Sequence, residues 1–191
     1  MSIRQLTILL VFTSLIIFSV VSKVFFNDFQ NGWDVYVKKN YKIAYELWLP
    51  LAEKGNSKAQ FFLGFMHDLG FGIPENDKEA VKWYRLAAEQ GDSRAELFTG
   101  FIYDLELGVA KDSREAFKWY QLAAKGGYHE ARTKIYDLAV KNIPQALKFL
   151  IDDAENGIAE AQFVLASMHA NGQGVPQSYQ EAMKWDYRVA S

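Results

Sequence analysis

Cysteine is absent from the 191 residues of this chain. That excludes disulfide bonds, thiolate metal centres and a lipid-modified cysteine. Linkers rich in proline and serine, low-complexity tracts and blocks of like charge are also missing, so no segment carries the composition of disorder. The 21 basic and 23 acidic residues give a formal net charge of −2. Beyond the N-terminus their signs are interspersed, without the basic stripe that nucleic-acid binding needs. Catalytic signatures are lacking too: there is no Gly-x-Ser-x-Gly elbow, no His-Glu-x-x-His and no phosphate-cradling Gly-x-x-x-x-Gly-Lys. Half of the residues are hydrophobic, and this length suits one domain with a real core.

The N-terminus stands apart. The first 26 residues hold two basic residues, Arg4 and Lys23, and no acid, and Leu6 to Val21 is an uncharged apolar run. As a helix this run spans ~24 Å, short of a ~30 Å hydrocarbon core. Extension to Phe26, with Lys23 snorkelling, makes up the difference. Residues 1–26 are therefore expected to be a transmembrane anchor or a signal sequence. Cleavage after Ser22 is the alternative to an uncleaved anchor, without an Ala-x-Ala site to support it. Arg4 and the α-amino group keep the N-terminus cytoplasmic and send the remainder across.

The rest of the chain is repetitive. Gly55, Gly91 and Gly127 are 36 residues apart, and Gly157 comes after another 30. The same phase carries Ala59, Ala95, Ala131 and Ala161, then Ala44, Ala80, Ala116, Ala146 and Ala182. Trp83, Trp119 and Trp185 share one slot, filled by Phe149 in the short repeat. Each repeat reads as two helices. In the second, Ala80, Trp83, Tyr84, Ala87 and Ala88 form one apolar stripe, and the tryptophans are expected in the core. Asn76-x-x-Glu79, Asp112-x-x-Glu115 and Ser178-x-x-Glu181 fit the capping box. In the first helix, Gly64 allows close approach of a neighbour. Helices of this length are marginal alone and must stack on one another.

The stretch "AQFFLGFMHDLGFGIPENDKEAVKWYRLAAEQG" resembles a Sel-1-like repeat, a relative of the tetratricopeptide repeat. The resemblance rests on Ala59, Leu63, Gly64, Gly70, Gly72, Ala80, Trp83, Ala87, Ala88 and Gly91 and their counterparts, and covers about residues 40 to 191. It implies an all-α, right-handed solenoid of stacked helix hairpins after the N-terminal hydrophobic helix. The expected divisions are a loop-less capping hairpin over 27–56, repeats over 57–92 and 93–128, a shortened repeat over 129–158, and a last repeat over 159–191. Departures from the pattern are His67 and His169 in place of tyrosine, Thr99 in place of leucine, and Tyr136 where Gly64 and Gly100 sit. The short repeat lacks the six-residue glycine loop and predicts a tight turn near Lys141–Pro144.

No metal site is expected. His67 and His169 lie in the same slot of distant repeats, too far apart to share an ion with ligands near ~2.1 Å, and His129 has no ligand-spaced companion. No catalytic residue and no cofactor are expected either, since nothing marks the carboxylates of Asp152, Asp153, Asp68 or Asp104 as desolvated. By analogy with tetratricopeptide arrays, Phe61, Phe65, Leu97 and Phe101 face a concave groove, with Asp68 and Asp104 one turn further on. These six form the candidate partner-binding surface; the competing reading places the apolar four in contacts between repeats. The resemblance implies a non-enzymatic scaffold that binds a protein partner, exposed in a bacterial periplasm and held by its leader in the inner membrane, or soluble there after cleavage near Ser22. The narrower alternative it offers is an immunity protein against a phospholipase effector delivered by type VI secretion. A hydrolase, as claimed for cysteine-rich members, lacks both the cysteines and a serine motif here.

Overall fold

The computed structural model describes residues 29–189, so the expectations for the leader, 1–26, lie outside the described residues. The fold is all helical. A helical segment over residues 29–36 (α1) is followed by α2 (Tyr41–Glu53), α3 (Ser57–Leu69), α4 (Asp77–Ala88), α5 (Ser93–Leu105), α6 (Ser113–Lys125), α7 (His129–Val140), α8 (Pro144–Glu155), α9 (Ala159–Asn171) and α10 (Tyr179–Val189). Consecutive helices pair as hairpins. Among the described residues, no helix is long and apolar enough to cross a membrane. The chain divides into two compact units within the last turn of α4, the first ending at Leu86 and the second beginning at Ala87.

The hairpins start where the side chains dictate. Asn56, Asp92 and Asp112 accept hydrogen bonds from backbone N–H groups two or three residues on, satisfying donors that a helix start leaves orphaned. Asn76 and Ser178 do the same for Glu79 and Glu181. The capping box forms only by half. Glu79, Glu115 and Glu181 pair instead with the lysine three residues on, at 3.0–3.2 Å. The N–H groups of Asn76, Asp112 and Ser178 donate to the carbonyls of His67, Tyr103 and His169, at 2.9, 3.0 and 2.9 Å. These bonds clamp each glycine loop across its base. Where the loop is missing, a tighter closure replaces the clamp: Asn40 N–H donates to Val35 O and Ile143 N–H to Leu138 O, both at 3.0 Å. α7 accordingly ends at Val140, and α8 begins at Pro144.

Within the first three hairpins the two helices meet at a glycine under an aromatic ring. A Cβ on Gly64 would sit 2.7 Å from Cδ1 of Tyr84. A Cβ on Gly100 would overlap the Tyr120 ring, and one on Gly32 the Trp48 indole. Tyr84, Tyr120 and Trp48 are almost wholly buried as a result. The shortened repeat reverses the arrangement: Tyr136 on α7 fills the glycine slot, Leu150 on α8 replaces the tyrosine, and both are buried. The Tyr136 hydroxyl donates to Asp153 at 2.7 Å, and Arg132 pairs with the same carboxylate. Burial raises the Tyr136 pKa, and the hydrogen bond to Asp153 adds to the shift.

Each unit has its own core. In the first, Ala44, Trp48, Leu51, Leu63, Met66 and Trp83 pack together. In the second, the core runs from Leu97 on α5 through Tyr120, Ile135, Leu150 and Leu165 to Trp185. The tryptophan slot is not uniform. Trp83 and Trp185 are buried, whereas Trp119 is only partly buried. Two residues before it, Phe117 is the buried ring and meets Phe149 edge-on at 6.5 Å. Thr99, in the leucine slot, is fully buried because its hydroxyl donates to Ala95 O at 2.7 Å, one turn back.

Successive hairpins are also stapled by buried amides. Gln60 Nε2 donates to Ala52 O at 2.9 Å and Gln162 Nε2 to Ala154 O at 3.0 Å, each reaching the end of the preceding helix. The same slot at the start of α5 holds Glu96, also buried, whose pKa is raised by burial. A carboxylate there has no proton to give to the equivalent carbonyl, Ala88 O.

This packing can be probed at two residues. Gly100→Ala should destabilise by roughly 1–3 kcal/mol in urea unfolding, because the methyl group overpacks against Tyr120. The sign is informative, since Gly→Ala in an open helix stabilises; a gain in stability would show that α5 and the Tyr120 ring are not in contact. Glu96→Gln should stabilise by about 1 kcal/mol by supplying the missing amide. A carboxyl whose folded pKa is raised contributes stability that is full below its unfolded value and lost as pH rises through the folded one. The gain should therefore be larger at pH 7 than at pH 4, and an equal gain at both would sink this role for Glu96.

Candidate partner-binding site

Phe61, Phe65 and Asp68 lie on α3 in the first unit, and Leu97, Phe101 and Asp104 on α5 in the second. Phe61 and Leu97 are 7% and 3% exposed and belong to the packing. The Phe61 ring lies 5.7 Å from that of Tyr84 and 5.3 Å from that of Phe62. One turn on, Phe65 and Phe101 are half-buried. Phe65 meets Phe71 edge-on at 5.9 Å. Phe101 meets Tyr120 edge-on at 5.7 Å and carries the Lys134 ammonium 5.5 Å from its ring centre.

The two aspartates sit in different environments. Asp68 is half-buried and accepts a hydrogen bond from the Tyr84 hydroxyl at 3.3 Å. Burial raises its pKa, and the hydrogen bond from Tyr84 pulls the other way. Asp104 is buried, with Lys141 Nζ 3.6 Å from its carboxylate. Burial likewise raises the pKa of Tyr120, and the charge of Asp104 adds to the effect. In the second unit, then, Lys134 in the middle of α7 lies over Phe101, and Lys141 just past the end of α7 lies beside Asp104.

A further residue shares the phase of Phe61 and Leu97, two positions after the repeat alanine. Phe163 follows Ala161 by two, as Phe61 follows Ala59, and it is 65% exposed. It borders a cavity of about 220 Å3 between α7 and α9, shared with Tyr136, Asp137, Val140, Glu160 and Met168. Glu160 accepts a hydrogen bond from Thr133 at 2.9 Å on the rim. The signal for Phe163 was present in the alanine register. A search at 36-residue phase skips it, because the intervening repeat is six residues short.

Two of the three histidines, His67 and His169, serve the hairpins. His67 Nε2 is 3.4 Å from the Tyr45 hydroxyl, and His169 Nδ1 is 3.3 Å from Pro176 O. Burial lowers the His67 pKa, opposed by the charge of Glu79. Among the described residues, no group of three or more His, Asp or Glu side chains is placed to hold a metal ion.

Two-helix hairpins in series, joined to one another by short turns, define a repeat protein of the α-solenoid class. The Sel1 repeat profile matches residues 29–56, 57–92, 93–128 and 159–185, and the chain belongs to the Sel1 repeat family. The match passes over the shortened repeat. Sel1 repeats in general mediate protein–protein interaction and are non-enzymatic. Among solved structures, a Sel1 repeat protein from Oxalobacter formigenes is 35% identical with a TM-score of 0.60, over 78% of this chain and 64% of that one. The protective antigen c5321, present in uropathogenic Escherichia coli strains and displaying an SLR fold, is 28% identical with a TM-score of 0.65, over 85% of this chain and 37% of that one. The chain thus spans less than two thirds of either relative. A comparison with curated proteins gave no match.

The environment of His67 makes stability depend on pH. Its folded pKa is below the ordinary 6.5, so the unfolded state binds the proton more readily. The stability this contributes is full above the unfolded value and is lost as pH falls through the folded one. The drop in melting temperature from pH 7.5 to pH 5 should be smaller in His67→Gln than in the parent chain. Parallel curves would place the imidazole in water.

Proposed function

We propose that this chain is a non-enzymatic scaffold that captures a protein partner through the outer surface of its first helices. The observation that carries the reading is Phe163, a large aromatic left exposed beside an open cavity in the second unit, at a repeat position that is buried in the two 36-residue repeats. A ring in water beside a hollow is what a docking segment would cover. Asp137 and Glu160 at the rim favour a segment carrying a basic residue next to an apolar one. Phe65 with Asp68 in the first unit, and Phe101 in the second, are the accessible remainder of the surface read from sequence. The apolar leader supports a periplasmic location on a membrane anchor.

Capture of partners from native membranes by the full chain, read by mass spectrometry, tests the reading. Phe163→Glu should reduce capture by roughly 30-fold while helix content stays unchanged, because losing a buried anchor often costs about 2 kcal/mol. Phe65→Glu with Phe101→Glu is the comparison pair. If that pair abolishes capture in a folded chain and Phe163→Glu does not, docking belongs to the α3 and α5 faces. A phospholipase among the captured proteins would select the immunity role, and a stable envelope complex the general scaffold. If no partner depends on any of these residues, the proposal fails.

A further inference from the structure

The first unit opens with a surface of a different kind. Trp33 and Val37 lie one turn apart at the end of α1, and Ile43 and Leu47 one turn apart on α2. All four are exposed, Val37 at 55% and Ile43 at 47%. Between them the chain reads "VKKNYKI" from Val37 to Ile43, with three lysines and no acid. Elsewhere, Lys82, Lys118 and Lys184 on the repeat helices each pair with the glutamate three residues back. Lys38, Lys39 and Lys42 have no ion pair among the described residues. Lys39, Lys42, Tyr41 and Ile43 line an open hollow of about 400 Å3 with Asn40 and Gly72. α2 starts there without a side-chain cap and without an acid in its first turn, so nothing offsets the positive end of its dipole.

We propose that this surface rests on an anionic lipid bilayer, with its lysines among the headgroups and Trp33, Val37 and Ile43 at the level of the acyl boundary. Exposed aliphatics beside an aromatic and unpaired lysines are the composition of an interfacial contact. The position of the surface in the chain points the same way. Only seven residues separate Val21, the end of the uncharged run, from residue 29. Fully extended, that length reaches at most about 25 Å. A chain anchored through its leader therefore holds α1 and α2 against the membrane, where even a weak surface affinity is saturated by the high effective concentration. The inference rests on the anchored reading of the leader for that tethering and adds the lipid chemistry the first hairpin selects. The anchor brings the surface to the bilayer, and the lysines choose which bilayer.

The absence of cysteine makes the test clean. The full chain carrying Val37→Cys is nitroxide-labelled and reconstituted into vesicles of phosphatidylcholine alone or with one third phosphatidylglycerol. Accessibility of the label to a water-soluble relaxation agent is then read. Since each lysine near an anionic leaflet is worth about a fivefold preference for the surface-bound state, accessibility should fall by roughly that factor or more in the anionic vesicles. It should return to the phosphatidylcholine level when Lys38→Glu, Lys39→Glu and Lys42→Glu are added. Sedimentation with the vesicles after a high-salt wash reports the anchor separately. A chain that stays with the vesicles while its label remains equally accessible in both lipids, with or without the lysines, overturns the surface and leaves the anchor standing. Immersion that ignores lipid charge overturns it too. A chain released by salt whose label is nevertheless shielded by anionic vesicles at low salt supports the surface and overturns the anchor.

Discussion

The contact between a glycine backbone and an aromatic ring sets the spacing of the helices in this protein. At Gly64 and Gly100 the absence of one methyl group lets a tyrosine lie flat against the neighbouring helix, and at Gly32 a tryptophan does the same. Helices α2 to α10, of eleven to thirteen residues, have little stability of their own. They persist because each buries a stripe against its hairpin partner and against the next hairpin. Burying the ring also fixes the phenol at its tip, and in the α3–α4 hairpin that tip meets Asp68 at 3.3 Å. The surface aspartate is thereby tied to the core.

The repeat keeps its spacing but not its detail, and the candidate functions gather at its irregularities. The hairpins of the two 36-residue repeats are closed by a backbone bond across the loop, and they bury the aromatic or aliphatic residue two positions after the repeat alanine. The hairpin that lost its loop reverses the ring and its socket, ties the reversed tyrosine to Asp153 and Arg132, and adjoins the cavity beside Phe163. The first hairpin, closed in the same tight way, leaves its outer side chains in water. Regular repeats supply rigidity, and the departures supply surfaces that differ from one another.

Much of the architecture was legible in the residues. The glycine and alanine registers located the hairpins, the apolar stripe assigned their inner faces, and the caps at Asn76, Asp112 and Ser178 marked helix starts. Other features were not, for physical reasons. A capping box specifies two bonds, but a neighbouring lysine and the carbonyl across the loop compete for the reciprocal one and win. A tryptophan slot specifies a ring without specifying what covers it, so Trp119 stands half in solvent while Trp83 does not. Period alone cannot tell the groove side of a first helix from its inner side, and Phe61 and Leu97 fall on the packed side. The staple formed by Gln60 and Gln162 is written plainly after Ala59 and Ala161. Glutamine carries no helical or hydrophobic signal, however, and the pattern gains meaning only when the carbonyl it reaches is seen.

The reversal of ring and socket in the shortened hairpin bears on how such a protein can change over generations. Tandem arrays grow and shrink by unequal recombination, which splices the front of one repeat to the back of another. Between the two 36-residue repeats any such crossover rejoins a glycine with a tyrosine and gives a hairpin that closes. A crossover within the shortened one sets Tyr136 against Tyr120, or Gly100 against Leu150, and yields two rings for one socket or a socket with no ring. The array is therefore free to duplicate on one side of that hairpin and barred from shuffling through it. The shortened hairpin, though continuous with the core of its unit, acts as a genetic boundary.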